Sequence, residues 1–170
     1  MSPEPSNFQK SLVTEAAFLR GQIIGSYAQV EFLLADLAVR CSVRPEYHEH
    51  LRKFPYKLES RLKAVRQLAE LPGPISSYRD ELVPLIDQIL KYEELRHFMA
   101  HGLLIIKTQG PNHLLQFRLY DTKDKGRLAL GIIETTCEQL LGSGTEVAEF
   151  ASSIAQLFKR IYLEQELQEQ

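Results

Sequence analysis

The chain has 170 residues, of which 44% are hydrophobic and 25% are charged, proportions typical of a globular protein. This length can bury one sizeable core, so we predict a single folded domain rather than a disordered chain. The formal net charge of −2 gives no global electrostatic case for binding nucleic acid or a membrane. Any nucleic-acid site therefore has to be a local patch.

The cysteines and the beginning of the chain indicate the cytoplasm. Cys41 and Cys137 form no CxxC pair, and two thiols do not make a disulfide scaffold. The first six residues lack the basic-then-apolar layout of a secretory signal. No apolar run approaches the ~20 residues that span a bilayer. We therefore expect a cytoplasmic protein with no membrane partner.

Hydrophobic periodicity predicts that the first half of the chain is helical. A flexible lead over residues 1–10 is followed by a long helix that ends near Ser42. Phe32 and Val39 lie opposite its main apolar stripe, and a helix that is apolar on two sides is central in a bundle or covered by another subunit. The main stripe consists of Ile23, Tyr27, Val30, Leu34, Leu37, Ala38 and Cys41.

Cap and stop signals predict three further helices. The second runs from Tyr56 to about Glu70, and the third runs from Ser76 or Ser77 to His101, with Gly102 as its C-terminal glycine. We predict that the segment 142–145 caps the last helix, which runs from Glu146 to about Glu166. Residues 167–170 are predicted to be a frayed tail.

The hydrophobic period changes between the third and the last helix. Leu115, Phe117 and Leu119 alternate with polar neighbours, and turn-forming segments flank them. We predict a small antiparallel β-meander over about 103–133, inserted before the last helix. The predicted fold is therefore mainly α: one domain over residues 11–166, an up-and-down bundle of four or five helices that carries this insertion.

The third helix places ionisable side chains where its core face should continue. At 100° per residue, its apolar stripe leads into polar residues, while Leu95 and Phe98 turn outward. A buried charge without a partner costs several kcal/mol, so these groups either form a Glu93–Arg96 ion pair or line a wet cleft. We favour the cleft, because functional sites gather ionisable groups. The stripe runs from Leu82, Ile86 and Ile89 into Glu93, Arg96, His97 and Ala100.

The segment 94–102, ELRHFMAHG, resembles the R-x4-H motif of the HEPN superfamily, a group of helical RNA-cleaving and RNA-binding domains. Members often carry a polar residue directly after the arginine and end in AHG, and the corresponding residues are His97 and Ala100-His101-Gly102. In the first helix, Tyr27 and Glu31 stand in an arrangement familiar from the family. The resemblance covers most of the helical part but leaves the strand insertion unexplained.

The resemblance implies a metal-independent endoribonuclease that uses no cofactor. His101 would take a proton from a ribose 2′-hydroxyl or give one to the leaving 5′-oxygen, and Arg96 would hold the phosphate. The expected product end is a 2′,3′-cyclic phosphate. The resemblance also places His97, which stands where asparagine or aspartate is commoner after the arginine, among the candidate catalytic residues. Glu31 is the candidate for orienting Arg96, and Glu93 is a second supporting residue.

Partners also follow from the resemblance. One motif supplies one catalytic histidine, and HEPN proteins bring two motifs to one cleft by two-fold pairing, so a homodimer is implied. A role as a toxin or defence element, with an antitoxin protein as partner, is a further implication. Between Arg40 and Arg66 there are eight Lys or Arg against three Glu, a local basic zone in which Lys53, Lys57 and Arg61 are candidate RNA contacts.

Two alternatives remain open. Glu93, His97 and His101 are spaced i, i+4, i+8, so they could form a metal site on one side of the helix. The chain could also be a non-catalytic HEPN-like dimer that binds RNA or protein and uses the motif structurally. The net negative charge and His97 both favour this second alternative.

Overall fold

The computed structural model describes residues 7–51, 55–109, 112–123 and 127–168. The chain is mainly helical and has a small three-stranded antiparallel sheet before its last helix, which confirms the predicted class. The helices are α1 (Asn7–Ser42), α2 (Leu58–Glu70), α3 (Arg79–Asp87), α4 (Glu93–His101) and α5 (Cys137–Glu164), with 3₁₀ segments at Ser76–Tyr78 and Gln88–Tyr92, and the strands are β1 (Leu103–Gln109), β2 (Asn112–Lys123) and β3 (Arg127–Thr135).

The chain divides into two compact units. The first contains the described residues up to Ser26 together with 92–148, and the second contains 27–91 together with 149–168. Both α1 and α5 contribute to each unit, so neither unit is continuous in sequence. The single domain over residues 11–166 stays a prediction.

In the first unit, the sheet has the order β1-β2-β3, and α4 packs against its central strand. Phe117 of β2 pairs with Leu104 of β1 and with Ile133 of β3. Alternate residues of a strand point to opposite faces, so one sheet face covers the core and the other faces outward. The core contains Ala16, Leu19, Ile23, Phe98, Met99, Leu115, Phe117 and Leu140.

In the second unit, the predicted faces of α1 and α2 are buried. On the opposite side of α1, Phe32 is 68% exposed and Val39 is 47% exposed, so this side is uncovered in the single chain. The buried residues that match the prediction are Tyr27, Val30, Leu34, Leu37, Ala38 and Cys41 on α1, preceded by Ile23 in the first unit, and Leu58, Leu62, Val65, Leu68 and Ala69 on α2.

The predicted third helix is interrupted, which changes the face that its last part buries. The 3₁₀ segment Gln88–Tyr92 separates α3 from α4. α3 belongs to the second unit and α4 to the first, so α4 packs on a different core and the helical wheel that starts at Leu82 does not apply to it. Met99 and Phe98 are therefore the buried residues of α4, and Leu95 packs on the core. The prediction that Phe98 and Leu95 turn outward, and that Glu93, Arg96, His97 and Ala100 continue the core stripe, is wrong.

The first and the last helix both begin earlier than predicted. α1 begins at Asn7, inside the predicted flexible lead. α5 begins at Cys137 and passes through 142–145 without a break, so the predicted cap there is wrong. Thr136 caps the helix instead: its Oγ1 accepts the Gln139 N–H at 3.1 Å, and the Thr136 N–H donates to Gln139 Oε1 at 3.0 Å. This is the reciprocal capping box of a T-x-x-Q sequence.

The segment after α5 is anchored rather than frayed at its start. Leu167 is buried, and its carbonyl accepts a hydrogen bond from Arg40 Nη1 at 3.0 Å. Arg44 Nη2 donates to the Gln165 carbonyl at 2.8 Å. Arg40 lies on α1, and Arg44 lies in the turn that follows it. Their guanidinium groups thus provide hydrogen-bond donors for backbone carbonyls just after the C-terminus of α5, a position where cations are favoured.

Candidate functional site

The residues of the R-x4-H segment are carried by α4, a helix of nine residues that Gly102 ends. The Gly102 N–H donates to the Phe98 carbonyl at 2.8 Å, and its backbone is extended (φ −72°, ψ 139°). A Cβ at this position would lie 2.5 Å from that carbonyl oxygen. A glycine is therefore required at position 102 because the Phe98 carbonyl oxygen leaves no room for a Cβ. It is not required by a left-handed backbone conformation.

His97 and His101 form a contacting pair of imidazoles. The two residues are one turn apart on α4, and their ring centroids lie 5.2 Å apart with an interplanar angle of 64°. The side chain of His97 is 40% exposed, and His101 is exposed. Both rings are therefore open to water, and a substrate could reach them without any rearrangement of the core.

Asp121 of β2 adds a carboxylate beside this pair. Its Oδ2 lies 3.8 Å from His97 Nε2, an ion pair when the imidazole is protonated. With 40% of the His97 side chain and 53% of the Asp121 side chain exposed, the pair contributes at most about 1 kcal/mol to stability. Its importance is geometric, because it connects the strand insertion to the histidines of α4. Asp121 comes directly after the alternating residues of the predicted strand, and no sequence pattern marked it as a candidate site residue.

Arg96 lies on a flank of α4. It is half-buried, and its Nε is enclosed by the protein. Five residues separate it from His101, which is about 140° around the helix axis. The guanidinium and the imidazole therefore leave the helix in different directions, although an arginine side chain is long enough to curve toward a shared ligand.

A second arginine, Arg20 of α1, binds the C-terminal end of α4. Its Nη2 donates to the Ala100 carbonyl at 3.1 Å in a partly buried contact. The carbonyl groups of the last helical turn lack partners within the helix, so this bond satisfies one of them. Arg20 thereby fixes the turn that carries His101. Sequence reasoning missed it, because nothing in the sequence relates residues eighty positions apart.

The supporting glutamates are separated between the two units. Glu93 is the first residue of α4 and is half-buried, in the same unit as Arg96. Glu31 is half-buried on the part of α1 that belongs to the second unit. Its role in orienting Arg96 stays a prediction.

The predicted RNA contacts lie in the second unit. Lys57 is exposed immediately before α2. Arg61 is held by its own neighbourhood, since its Nε donates to the Pro55 carbonyl at 3.0 Å and its guanidinium carbon lies 6.0 Å from the ring centre of Tyr56. Tyr56 is 91% exposed and was not predicted as a contact. Lys53 lies outside the described residues.

Comparison with known proteins assigns the chain to no family. No protein-family model, curated protein or solved structure matches it. Among the described residues, no group of three or more His, Cys, Asp or Glu is arranged to hold a metal ion, so the Glu93, His97 and His101 alternative gains no support. Within the same residues, no helix combines the length and apolar character needed to cross a bilayer.

Proposed function

We propose that this protein is a metal-independent endoribonuclease of the HEPN type. The observation that carries the proposal is the exposed pair of imidazoles, His97 and His101, 5.2 Å apart on the helix that also carries Arg96. Imidazole is the side chain best suited to exchanging protons near neutral pH. Arginine offers the planar set of donors that matches a phosphate.

The proposed reaction needs only these side chains and the RNA. His101 takes the proton from a ribose 2′-hydroxyl, the 2′-oxygen bonds to the adjacent phosphorus, and the bond from phosphorus to the 5′-oxygen breaks. His101 of a second copy, brought to the same cleft in a homodimer, gives a proton to that 5′-oxygen. Arg96 offsets the charge that develops on the phosphate oxygens. The products are a 2′,3′-cyclic phosphate and a 5′-hydroxyl, and DNA is not a substrate because it lacks the 2′-hydroxyl.

His97 has a positioning role in this proposal. Its ring contacts His101 on one side, and Asp121 lies near its Nε2 on the other. This chain of three side chains restricts the ring of His101 without burying it. The asparagine or aspartate that is commoner in the family could not form the same ring contact, so the histidine suggests a different means of orienting the base.

A second candidate function is a non-catalytic HEPN-like dimer that binds RNA or protein. The enclosed Nε of Arg96 favours it, because a guanidinium that is half-buried in its own unit contributes to structure as well as to any ligand. On this alternative, exposed Lys57 and Tyr56 would contact RNA through its phosphates and bases.

An RNA-cleavage assay in EDTA distinguishes the two. The wild type is compared with His101→Ala and Arg96→Ala, and with His48→Ala as a matched control, since His48 is an exposed histidine in the second unit. We expect the wild type and the control to leave 2′,3′-cyclic ends, and the two site variants to lose about 100-fold or more in rate. Equal cleavage by all four proteins would contradict the proposal. RNA binding without cleavage by the wild type would support the second candidate.

A further inference from the structure

The outward face of the sheet carries an apolar patch that the chain leaves exposed. The core of the first unit lies against the other face. On the outward face, Leu103 of β1 and Ile132 of β3 flank Arg118 of β2, and Tyr120 of β2 pairs with Leu130 of β3 one row further along. This outward patch consists of Leu103, Tyr120, Leu128, Leu130 and Ile132, which are between 45% and 74% exposed. A contiguous exposed patch of this kind marks an interaction site.

A polar cluster closes one end of the outward patch. Gln116 is only 1% exposed, and its Nε2 donates to Glu134 Oε1 at 2.5 Å. Lys107 Nζ donates to the same oxygen at 2.7 Å. These two bonds, that of Lys107 foremost, hold the pKa of the Glu134 carboxyl below its usual range. Among the described residues of the sheet, Glu134 is the only acidic side chain on this face, so the face has no carboxylate left for a further cation.

Arg118 lies between this cluster and the outward patch. Its Nε donates to Gln116 Oε1, which fixes the direction of the guanidinium. No carboxylate of the described residues lies within ion-pair distance of it, and it acts on Glu134 only by longer-range attraction. The side chain is half-buried beside its cross-strand neighbours Leu103 and Ile132. A fixed and partly desolvated guanidinium without an anion is a site for a carboxylate supplied from outside.

We propose that the outward face of this sheet binds an amphipathic α-helix of another protein, whose apolar stripe covers the outward patch and whose Asp or Glu pairs with Arg118. The dimensions fit a helix. β1 and β3 lie about 10 Å apart across β2, close to the width of one helix, and the patch extends about 13 Å from Leu128 to Ile132, the length of roughly nine helical residues. Arginine and tyrosine, present here as Arg118 and Tyr120, often dominate the binding energy of protein interfaces.

The same charges argue against two other occupants. A second copy placed face to face would bring a Glu134 that Lys107 already binds, so both copies of Arg118 would be enclosed without a carboxylate, which is strongly unfavourable. RNA would supply phosphates for Arg118, but it would stack on Tyr120 alone and leave the aliphatic side chains against its polar backbone. The binding surface is independent of the proposed nuclease activity, since the R-x4-H segment lies on α4, which packs on the core face of the sheet.

Selection of helical peptides on the full chain tests the proposal. The probe is a displayed library of amphipathic helices of about fifteen residues, with a fixed leucine stripe and every amino acid allowed beside it. We expect the peptides enriched on the wild type to carry Asp or Glu beside the stripe, and Leu130→Lys to raise the dissociation constant of a selected peptide about tenfold or more. Phe18→Lys is the matched control, because Phe18 is 70% exposed in the same unit but on α1. It should leave binding unchanged.

The charge swap Arg118→Glu separates the carboxylate contact from the apolar contacts. We expect this variant to select peptides with Lys or Arg beside the stripe instead of Asp or Glu. Circular dichroism checks that each variant is folded, which is expected for substitutions outside the core.

Four results would contradict the proposal. Failure to enrich any peptide over a parallel selection on Leu130→Lys excludes the helix. Selection of the same peptides by the wild type and by Arg118→Glu excludes the ion pair. A wild-type chain that dimerises in sedimentation equilibrium, and dissociates with Leu130→Lys but not with Phe18→Lys, assigns the face to a second copy. An RNA oligonucleotide that displaces the selected peptide, and binds Leu130→Lys more tightly than the wild type, assigns the face to RNA.

Discussion

Phe98 of α4 packs directly onto Gly131 of β3. A Cβ added at Gly131 would lie 2.8 Å from Cζ of the Phe98 ring, so only a glycine leaves room for the ring. Phe98 is 7% exposed and belongs to the core of the first unit. This contact fixes the rotation of α4 about its axis, and with it the outward direction of His97 and His101.

Gly131→Ala should therefore destabilise the protein. The added methyl group overpacks the site, which typically costs about 1–3 kcal/mol. Gly21→Ala is the matched control, because a Cβ added there would have no atom within 4 Å and the position is exposed in a helix, where alanine is favoured by up to about 1 kcal/mol. Urea denaturation measures both. A Gly131→Ala protein as stable as the wild type, with Phe98 unmoved, would contradict the packing.

The buried face of α4 also shows where sequence reasoning failed. The periodicity of Leu82, Ile86 and Ile89 correctly identified buried residues. The prediction then extended one helical period across Gln88–Tyr92, where the backbone is 3₁₀. No proline or glycine marks that segment, so a constant period was the natural assumption. The site residues were found on α4 nonetheless, because the R-x4-H spacing is local and does not depend on which face is buried.

The strand insertion was predictable because its pattern is local. Alternation at Leu115, Phe117 and Leu119, between turn-forming segments, is sufficient to indicate an antiparallel meander. The contacts that connect the sheet to the candidate site were not predictable. Asp121 approaches His97, and Arg20 binds the Ala100 carbonyl, only once the chain is folded. Contacts between residues far apart in sequence leave no periodic signal.

The start of α5 offers a prediction from a signal that sequence reasoning overlooked. Thr136→Ala removes the side-chain oxygen that accepts the Gln139 N–H, and loss of such a cap costs about 0.5–2 kcal/mol. Thr145→Ala is the matched control, because Thr145 is exposed within the same helix and donates to the Leu141 carbonyl. We expect no loss there, since alanine is the better helix former. Equal denaturation midpoints for the two variants would argue against the capping box.

Tyr47 in the second unit stabilises the turn before α3. Its hydroxyl is buried and accepts a hydrogen bond from the Ile75 N–H at 3.1 Å. Tyr47→Phe leaves that buried N–H without this acceptor, and we expect a loss of about 1–3 kcal/mol in the free energy of unfolding. Tyr120→Phe, at a position that is 71% exposed, should change it by no more than about 0.5 kcal/mol. Thermal denaturation of both variants is the measurement, and a neutral Tyr47→Phe would exclude the bond.

From the buried thiol of Cys41 we predict that the free energy of unfolding decreases at alkaline pH. Burial raises the pKa of its thiol from 9.0 to about 12, and the nearby Arg44 guanidinium only partly offsets this. Because the folded-state pKa is the higher one, the contribution of Cys41 is fully present below pH 9.0 and is lost as the pH rises toward 12. In this window the unfolded chain releases the proton first, so the free energy of unfolding should fall by up to about 1.4 kcal/mol per pH unit.

Urea denaturation between pH 7 and 10 measures this slope. Cys41→Ala lowers the overall stability because it leaves a cavity, but it should flatten the decline above pH 9.0, where Cys41 begins to contribute. Cys137→Ala is the comparison: Cys137 is only half-buried, and its replacement leaves the Cys41 contribution in place. The decline should therefore persist in that variant. A slope that is unchanged by Cys41→Ala would mean that the thiol can ionise without unfolding, which contradicts its complete burial on the inner face of α1.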